Sequence, residues 1–521
     1  MMSPQSGPVV IRPMHTVASL TRMFSLLLAG VLSVLSEVPV QAAPQETPSG
    51  LAKLPPETWQ VLYVDDQRLG YSRTLHAWVE FDGGKAIRTD TELRLTLKRF
   101  GQTIRMHFSQ TTHEAPDGRL LAFQSTLQNP PAGSVRTTGI VRTDHADLTT
   151  DLGGQLQSSQ IRWAPDVIGP ARQDQLLAKL KPGQSIEYTA YVAELNQIVK
   201  ATAVAGKSIE TELYQGKTSP LLRVELRQPN LPTTTAYVDA NGQVQKTESD
   251  FVGSTLVAYT VSREVALQSI AGAELDIATQ TLVHCKPIVK PHQTRRAAYR
   301  LTIEGQDAAK LIPTGVGQAV QAVNRETVDV TVTAVRPGTP DQSDAIGPEF
   351  VKSSQYLQIG DPAVVAHTRK AIGDVVDPWT KAVRMEKYVH GALQNKNFST
   401  AMASAAEVAK KLEGDCTEHA VLLAAMLRAE KIPSRVVVGL VYADGLKAFG
   451  GHMWTEAGID GRWIPLDATL GQGGIGAAHI RLIDTSLNDD ALTPVAAFLP
   501  LMNLLGRTQL TVVSVEGPAD Q

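Results

Sequence analysis

Apolar and polar residues alternate through the first half of the chain with the period of a half-buried β-strand. Trp59, Val61 and Tyr63 alternate along the chain before Asp65-Asp66. Leu93, Leu95 and Leu97 are interleaved with Arg94, Thr96 and Lys98. After Gly101-Gln102, Ile104, Met106 and Phe108 are interleaved with Arg105 and His107. A period of two places each set on one face of a sheet. Asp117-Gly118 and Asn241-Gly242 have the composition of tight hairpin turns. Only Ala171 to Leu180 leans toward helical spacing. The pattern predicts a β-rich domain over 57–268, folded as one large curved antiparallel sheet or half-barrel with one apolar and one polar face. Such a unit suits a scaffold or a substrate-recognition surface.

The alternation thins after residue 268. Tyr299 to Glu304 and Thr327 to Val335 read as strands, so 269–340 is expected to be a small β region. Arg336-Pro337-Gly338-Thr339-Pro340 opens a linker that reaches Pro348. An α+β unit is then expected over 349–490. Asp361-Pro362 and Asp377-Pro378 each have the form of an N-cap followed by proline at the first helical position. They predict helices running to Ile372 and Leu393. Ser404 to Leu412 reads as a third, short helix, and Arg435 to Tyr442 as a buried strand. In the C-terminal extension, 491–521, Val495 to Leu505 is apolar but shorter than the ~20 residues of a membrane span. Leu510 to Val515 suits an edge strand.

The chemistry concentrates in Gly414-Asp415-Cys416-Thr417-Glu418-His419. Ala420, Leu423, Ala424 and Leu427 continue at helical spacing, so Cys416 is expected in the first turn of a helix. Unpaired N–H groups and the positive end of the helix dipole favour an anion there, which predicts a lowered thiol pKa. Downstream, Gly450 to Glu456 and Gly461 to Asp467 read as paired strands with Asp460-Gly461 as a two-residue turn. In that register Ile459 faces Arg462, and Asp467 falls opposite Trp454. His452 shares the face of Trp454, so His452 and Asp467 are diagonal neighbours about 7–8 Å apart at the backbone. A carboxylate so placed can orient an imidazole, and the imidazole can take a proton from a thiol.

Cysteine, histidine and aspartate in this order, on helix, strand and strand, resemble the transglutaminase-like superfamily, whose core is similar to papain-type thiol enzymes. The resemblance runs over about residues 360 to 485. It rests on Gly414-Asp415-Cys416, on Ala420 to Arg428, on Lys431 to Val437, on Gly451 to Glu456 and on Trp463 to Thr469. It implies a C-terminal α+β thiol-enzyme domain, and the length of 521 residues implies a multidomain protein. Cys416 would be the nucleophile, His452 the general base and Asp467 its orienting partner, with no cofactor and no metal. It implies acyl transfer or amide hydrolysis on a protein or peptide substrate. Lys431 stands where the family usually has glycine, and the aromatic residue that many animal members place ahead of the helix has no clear match near Phe398 and Met402.

Blander or different readings stay open at this stage. His419 shares a helix face with Cys416 and is expected to be a supporting group or pocket wall rather than the base. Glu418 and Glu456 read equally as cleft or solvated charges, and Trp454 and Trp463 as core or cleft walls. A non-catalytic binding module of the same fold would keep the architecture without the reaction. A metal site would draw on Cys416, His419 and His452, but it lacks an evident fourth ligand. His76, His107, His113 and His145 are scattered without ligand spacing.

Composition narrows the setting. With 49 basic and 52 acidic residues among 521, the net charge of −3 gives no basic surface for nucleic acid. Arg12 and Arg22, the apolar stretch Met23 to Leu35 and Val40-Gln41-Ala42 form the pattern of a signal peptide over 1–42. A polar, proline-rich linker follows over 43–56. Export to the periplasm, cell envelope or medium is therefore expected, with no stable membrane span in the mature chain. Cys285 and Cys416 are the two cysteines. A disulfide between them would silence the nucleophile, and the sequence leaves that pairing open, as it does the oligomeric state.

Overall fold

The computed structural model describes residues 55–128, 134–152, 154–192, 195–229, 231–269, 275–276, 280–339, 344–395, 402–489 and 494–517. The expected signal peptide, almost all of the linker after it and Phe398 lie outside these residues.

Alternation in the first half builds a single 15-stranded sheet between Glu57 and Val261. Two meanders join where the first strand meets the last, Trp59 opposite Val261 and Val64 opposite Leu256. The sheet is antiparallel except where Val167–Ile168 runs parallel to Thr189–Ala190. The helical spacing near Ala171 corresponds to a short helix, Pro170–Leu177. Leu93, Leu95, Leu97, Ile104, Met106 and Phe108 are buried, as their alternation requires. Their core is continuous with that of the C-terminal half, so this face of the sheet is a packing surface for the rest of the chain.

A four-stranded sheet follows, in the order Gln318–Ala322, Thr327–Thr333, Arg296–Ile303, Thr508–Glu516. Its last strand comes from the C-terminal end and lies at the edge, in the segment expected to supply one. The apolar run before it forms a helix, Pro494–Leu504. Among the described residues no helix is long and apolar enough to cross a membrane.

The α+β unit contains helices α1 (Pro362–Ile372), α2 (Pro378–Ala392), α3 (Ala405–Lys411) and α4 (Cys416–Ala429). Its strands are β1 (Ser434–Ala443), β2 (Ala448–Ile459), β3 (Arg462–Leu466) and β4 (His479–Thr485). Each helix begins with the side chain that the sequence offers. Asp361 accepts from the Ala363 N–H at 2.9 Å and Asp377 from the Thr380 N–H at 2.7 Å. Ser404 and Glu407 form a capping box on α3, and Asp415 and Glu418 form one on α4.

The sequence pattern places Ala420, Leu423, Ala424 and Leu427 at helical spacing on α4. Every residue from Cys416 to Arg428 is buried. The run Ala-Val-Leu-Leu-Ala-Ala-Met-Leu is apolar all round, and such a helix is stable only when wrapped on all sides. Here α1, α2 and α3 pack around it, with β1 and β2 on its remaining side. The helix ends in a Schellman motif. Ile432 donates its N–H to Leu427 at 3.0 Å and Lys431 donates to Arg428 at 2.9 Å. Lys431 itself sits in the left-handed region, φ 59°. A glycine would hold that position at less cost.

Candidate active site

The hairpin of β2 and β3 has the expected register. Ile459 pairs with Arg462 and Thr455 with Leu466, around Asp460 (φ 50°) and Gly461 (φ 73°). β3 ends at Leu466, one residue before Asp467. β2 has two short partners on the edge away from β1: Val283–His284 pairs with Ala448 and Phe449, and β3 begins pairing at Thr455. Among the described residues, Gly450 to Trp454 therefore lack a strand partner on that edge. His452 and Met453 lie in this gap.

Asp467 gathers two imidazoles rather than one. His452 Nε2 lies 2.8 Å and His479 Nε2 3.1 Å from the same Oδ2. The other oxygen, Oδ1, accepts the Thr469 N–H at 2.8 Å. All three side chains are buried. Burial alone would raise the Asp467 pKa, but His452 and then His479 outweigh it and hold the carboxyl well below its usual range. Burial pushes His479 down despite the carboxylate beside it. An ionised carboxylate only accepts, so both Nε2 atoms carry the shared hydrogens. An uncharged imidazole so bonded keeps an acceptor lone pair on Nδ1. That atom is buried and has no hydrogen-bond partner.

Glu386 of α2 holds the loop that carries Asp467. It accepts N–H bonds from Asp467 at 3.0 Å, Gly473 at 2.5 Å and Gly474 at 3.2 Å. Burial raises its pKa to about 7 even so.

Cys416 is the first residue of α4 and has no exposed surface. The Met453 N–H, next to His452, hydrogen-bonds its sulfur. The expected low thiol pKa is not found: it is raised well above the ordinary value, by burial first and then by Asp415, with Glu418 adding to the shift. Two capping carboxylates already occupy the positive end of the helix, and the site is buried. Arg99 and the Met453 N–H oppose the rise without cancelling it. Gly414 makes the entry to the helix feasible. Its φ is 144°, and a Cβ there would meet Glu418 Cγ at 2.4 Å.

The other candidates resolve as follows. His419 turns back on its own helix, Nδ1 lying 2.6 Å from the Asp415 carbonyl oxygen. The trio Cys416, His419 and His452 is not gathered. The described residues whose potential ligand atoms converge are His452, Asp467 and His479, within 4.8 Å of one another. Their 2.8 and 3.1 Å contacts have the lengths of imidazole–carboxylate hydrogen bonds. Glu418 and Glu456 are not solvated charges. Glu418 is buried in the α4 cap, and Glu456 pairs with buried Arg435 at 2.6 Å. Trp454 and Trp463 are buried, the latter under the Arg435 guanidinium. Met402 is buried. Cys285 and Cys416 are both free thiols.

Residues 366–468 match the family model of the transglutaminase-like superfamily. The transglutaminase-like segment thus includes Cys416, His452 and Asp467 and stops short of His479. A comparison with curated proteins returns no match. Among solved structures, the chain is similar to a putative cysteine protease from Cytophaga hutchinsonii, at 16% identity and a TM-score of 0.25. That alignment covers 44% of this chain and 88% of that one. It is also similar to a β-barrel-like protein from Brucella abortus with a domain of unknown function, at 14% identity and a TM-score of 0.30. Here the coverage is 40% of this chain and 95% of that one. Likeness at this level carries no argument about activity.

His479, Glu386 and Arg99 were missed from sequence. Two of them left a signal. Arg99 continues the inward alternation of Leu93, Leu95 and Leu97, and Glu386 lies on the buried helical stripe of Ala382, Met385 and Val389. A charged residue in an apolar phase marks a buried pair or cap. His479 opens a strand of mixed polar and apolar residues, His-Ile-Arg-Leu-Ile-Asp-Thr, and carried no comparable mark.

Proposed function

We propose that the protein is a cysteine-dependent acyl transferase or amide hydrolase acting on protein or peptide substrates. Cys416 is the nucleophile, His452 the general base and Asp467 the residue that orients it. One observation carries the reading: His452 gives Nε2 to Asp467 and keeps Nδ1 buried and unbonded, one residue from the N–H that contacts the Cys416 sulfur.

In the proposed reaction His452 Nδ1 takes the thiol proton as sulfur bonds to the carbonyl carbon. The C–N bond then breaks, and the imidazolium returns its proton to the departing amine. Water or a second amine then attacks the thioester as the same imidazole takes its proton, and the C–S bond breaks as the imidazolium returns that proton to the Cys416 sulfur. The Cys416 N–H at the helix start is the proposed first donor to the oxyanion. The covered sulfur means that the reaction belongs to an opened form of this site. The action is proposed to take place outside the cytoplasm, given the N-terminal pattern.

The same covered sulfur and raised thiol pKa favour a second reading, a non-catalytic binding module of the envelope. A thiol-acylating ester, p-nitrophenyl acetate, separates the two. Catalysis predicts a burst of about one p-nitrophenolate per chain, a matching acetyl mass on Cys416, and loss of both in Cys416→Ala. A burst that survives Cys416→Ala, or no acylation under conditions where the fold is intact, rejects the catalytic reading.

A further inference from the structure

The strands Gly84–Arg99 and Gln102–Glu114 of the large sheet meet in a two-residue turn, Phe100 (φ 48°) and Gly101 (φ 77°). The turn is seated against the C-terminal half. Phe100 packs on the shared core. Asp276 accepts the Phe100 N–H at 3.1 Å and the Gly101 N–H at 2.8 Å, and Lys98 N–H reaches the Leu275 carbonyl at 2.7 Å. These bonds fix the height and direction of Arg99, which has no exposed surface. Its Nη2 lies 2.7 Å from Oδ2 of Asp415, 316 residues away.

Asp415 has a second duty. Its Oδ1 accepts the Thr417 N–H at 2.8 Å and the Thr417 hydroxyl at 2.9 Å, capping the helix that begins with Cys416. The two oxygens are thus divided, one for the helix and one for the guanidinium. Without a cation, Asp415 and Glu418 would put two buried carboxyls beside the sulfur. Burial would raise the Asp415 pKa, yet Arg99 and the cap bonds hold it below its usual value. Glu418 instead rises to about 8, through burial and then the neighbouring Asp415.

We propose that Arg99 is a positioning residue of the Cys416 site: the large N-terminal sheet supplies, through one hairpin, the counter-charge that fixes the helix cap beside the thiol. This rests on the reading of Cys416 as nucleophile. The sheet is then part of the reaction unit as well as a scaffold.

The test uses the full chain in a Cys285→Ser background, with Arg99→Lys, Arg99→Met and the double variant Arg99→Met/Asp415→Asn. The double variant removes both charges, so it buries no lone carboxylate if Arg99→Met alone fails to fold. Two readouts apply. Hydrogen exchange at the Thr417 to His419 amides should quicken at least tenfold in Arg99→Met or the double variant, while exchange along β1 is unchanged. The pH midpoint for iodoacetamide modification of Cys416 should rise in Arg99→Met by about one unit and recover part-way in Arg99→Lys. Wild-type exchange at the cap in both Met-bearing proteins overturns the proposal, whatever the thiol does. A quickened cap with an unmoved midpoint overturns the counter-charge role. Cys416 that is inert in the wild type, with the cap still loosened, rejects the nucleophile reading and leaves Arg99 as a positioning residue of a non-catalytic site.

Discussion

Replacing Asp467 with asparagine tests the proposed site most directly, and the bonds around it fix the expected effect. Oδ2 receives two imidazole N–H groups and Oδ1 receives the Thr469 N–H. An amide has one accepting oxygen and one donating nitrogen. With its oxygen toward the histidines, its NH₂ faces the Thr469 N–H, and a buried donor goes unmet at a cost of about 1–3 kcal/mol in stability. The bond to His452 also loses its charge-assisted character. A hydrogen bond to a charged group is worth about 1.5–3 kcal/mol, and about 1.4 kcal/mol is a tenfold change in rate, so acylation should slow about 10- to 200-fold. With the NH₂ toward His452, the ring must carry its proton on Nδ1, the wrong nitrogen for a base. The loss then approaches the ~10⁴-fold of a mis-set tautomer. The assay is the burst rate with p-nitrophenyl acetate, with thermal unfolding alongside. A burst within about threefold of wild type, in a folded protein, refutes the assignment of His452 and Asp467. Asp467 has a depressed folded pKa, so its contribution to stability is full above the unfolded value of about 3.9 and is lost only as pH falls further.

His479→Phe removes one charge-assisted bond to Asp467 and should slow the same burst about tenfold without removing it; an unchanged rate makes His479 a packing residue. Glu386 and Glu418 have carboxyl pKa values raised to about 7 and about 8. Their stabilising contribution is complete below the unfolded value of ~4.3 and falls as pH rises to the folded one, so unfolding temperature should decline from pH 5 to pH 8. Gln at both positions should flatten that slope, measured by calorimetry. Lys431→Gly relieves the left-handed position in the Schellman motif and should stabilise the fold by about 1 kcal/mol in urea unfolding. Dialysis against a chelator should leave the burst unchanged, and chelator-sensitive acylation restored by zinc would turn His452, Asp467 and His479 into a metal site.

Local signals in the sequence translated directly into structure. The Asp-Pro pairs at 361 and 377 and Ser404 with Glu407 start helices where their side chains can cap them. Asp460-Gly461 sets a register that follows from turn geometry alone, which is why the approach of Asp467 to His452 could be worked out. What stayed hidden depends on contacts remote in sequence. The wrapping of α4 on all sides changed the meaning of its first residue, because the same burial that stabilises the helix raises the thiol pKa. Asp415 reads as a cap in any sequence, but its guanidinium partner sits on a hairpin more than half the chain away. His479 joins Asp467 only because β4 pairs with β1 on the far side of the sheet.

The edge strand Thr508–Glu516 carries a consequence for biogenesis. It flanks Arg296–Ile303 over eight paired positions, so that strand waits for a segment far downstream before it has neighbours on both sides. A nascent polypeptide can complete the big meander early, but it must hold an open ribbon until Thr508–Glu516 has been made. Polypeptides that delay closure in this way fold slowly and meet chaperones with an unpaired border exposed. Shortening the gene before codon 508 should therefore yield aggregates, even though every proposed reactive group would still be encoded.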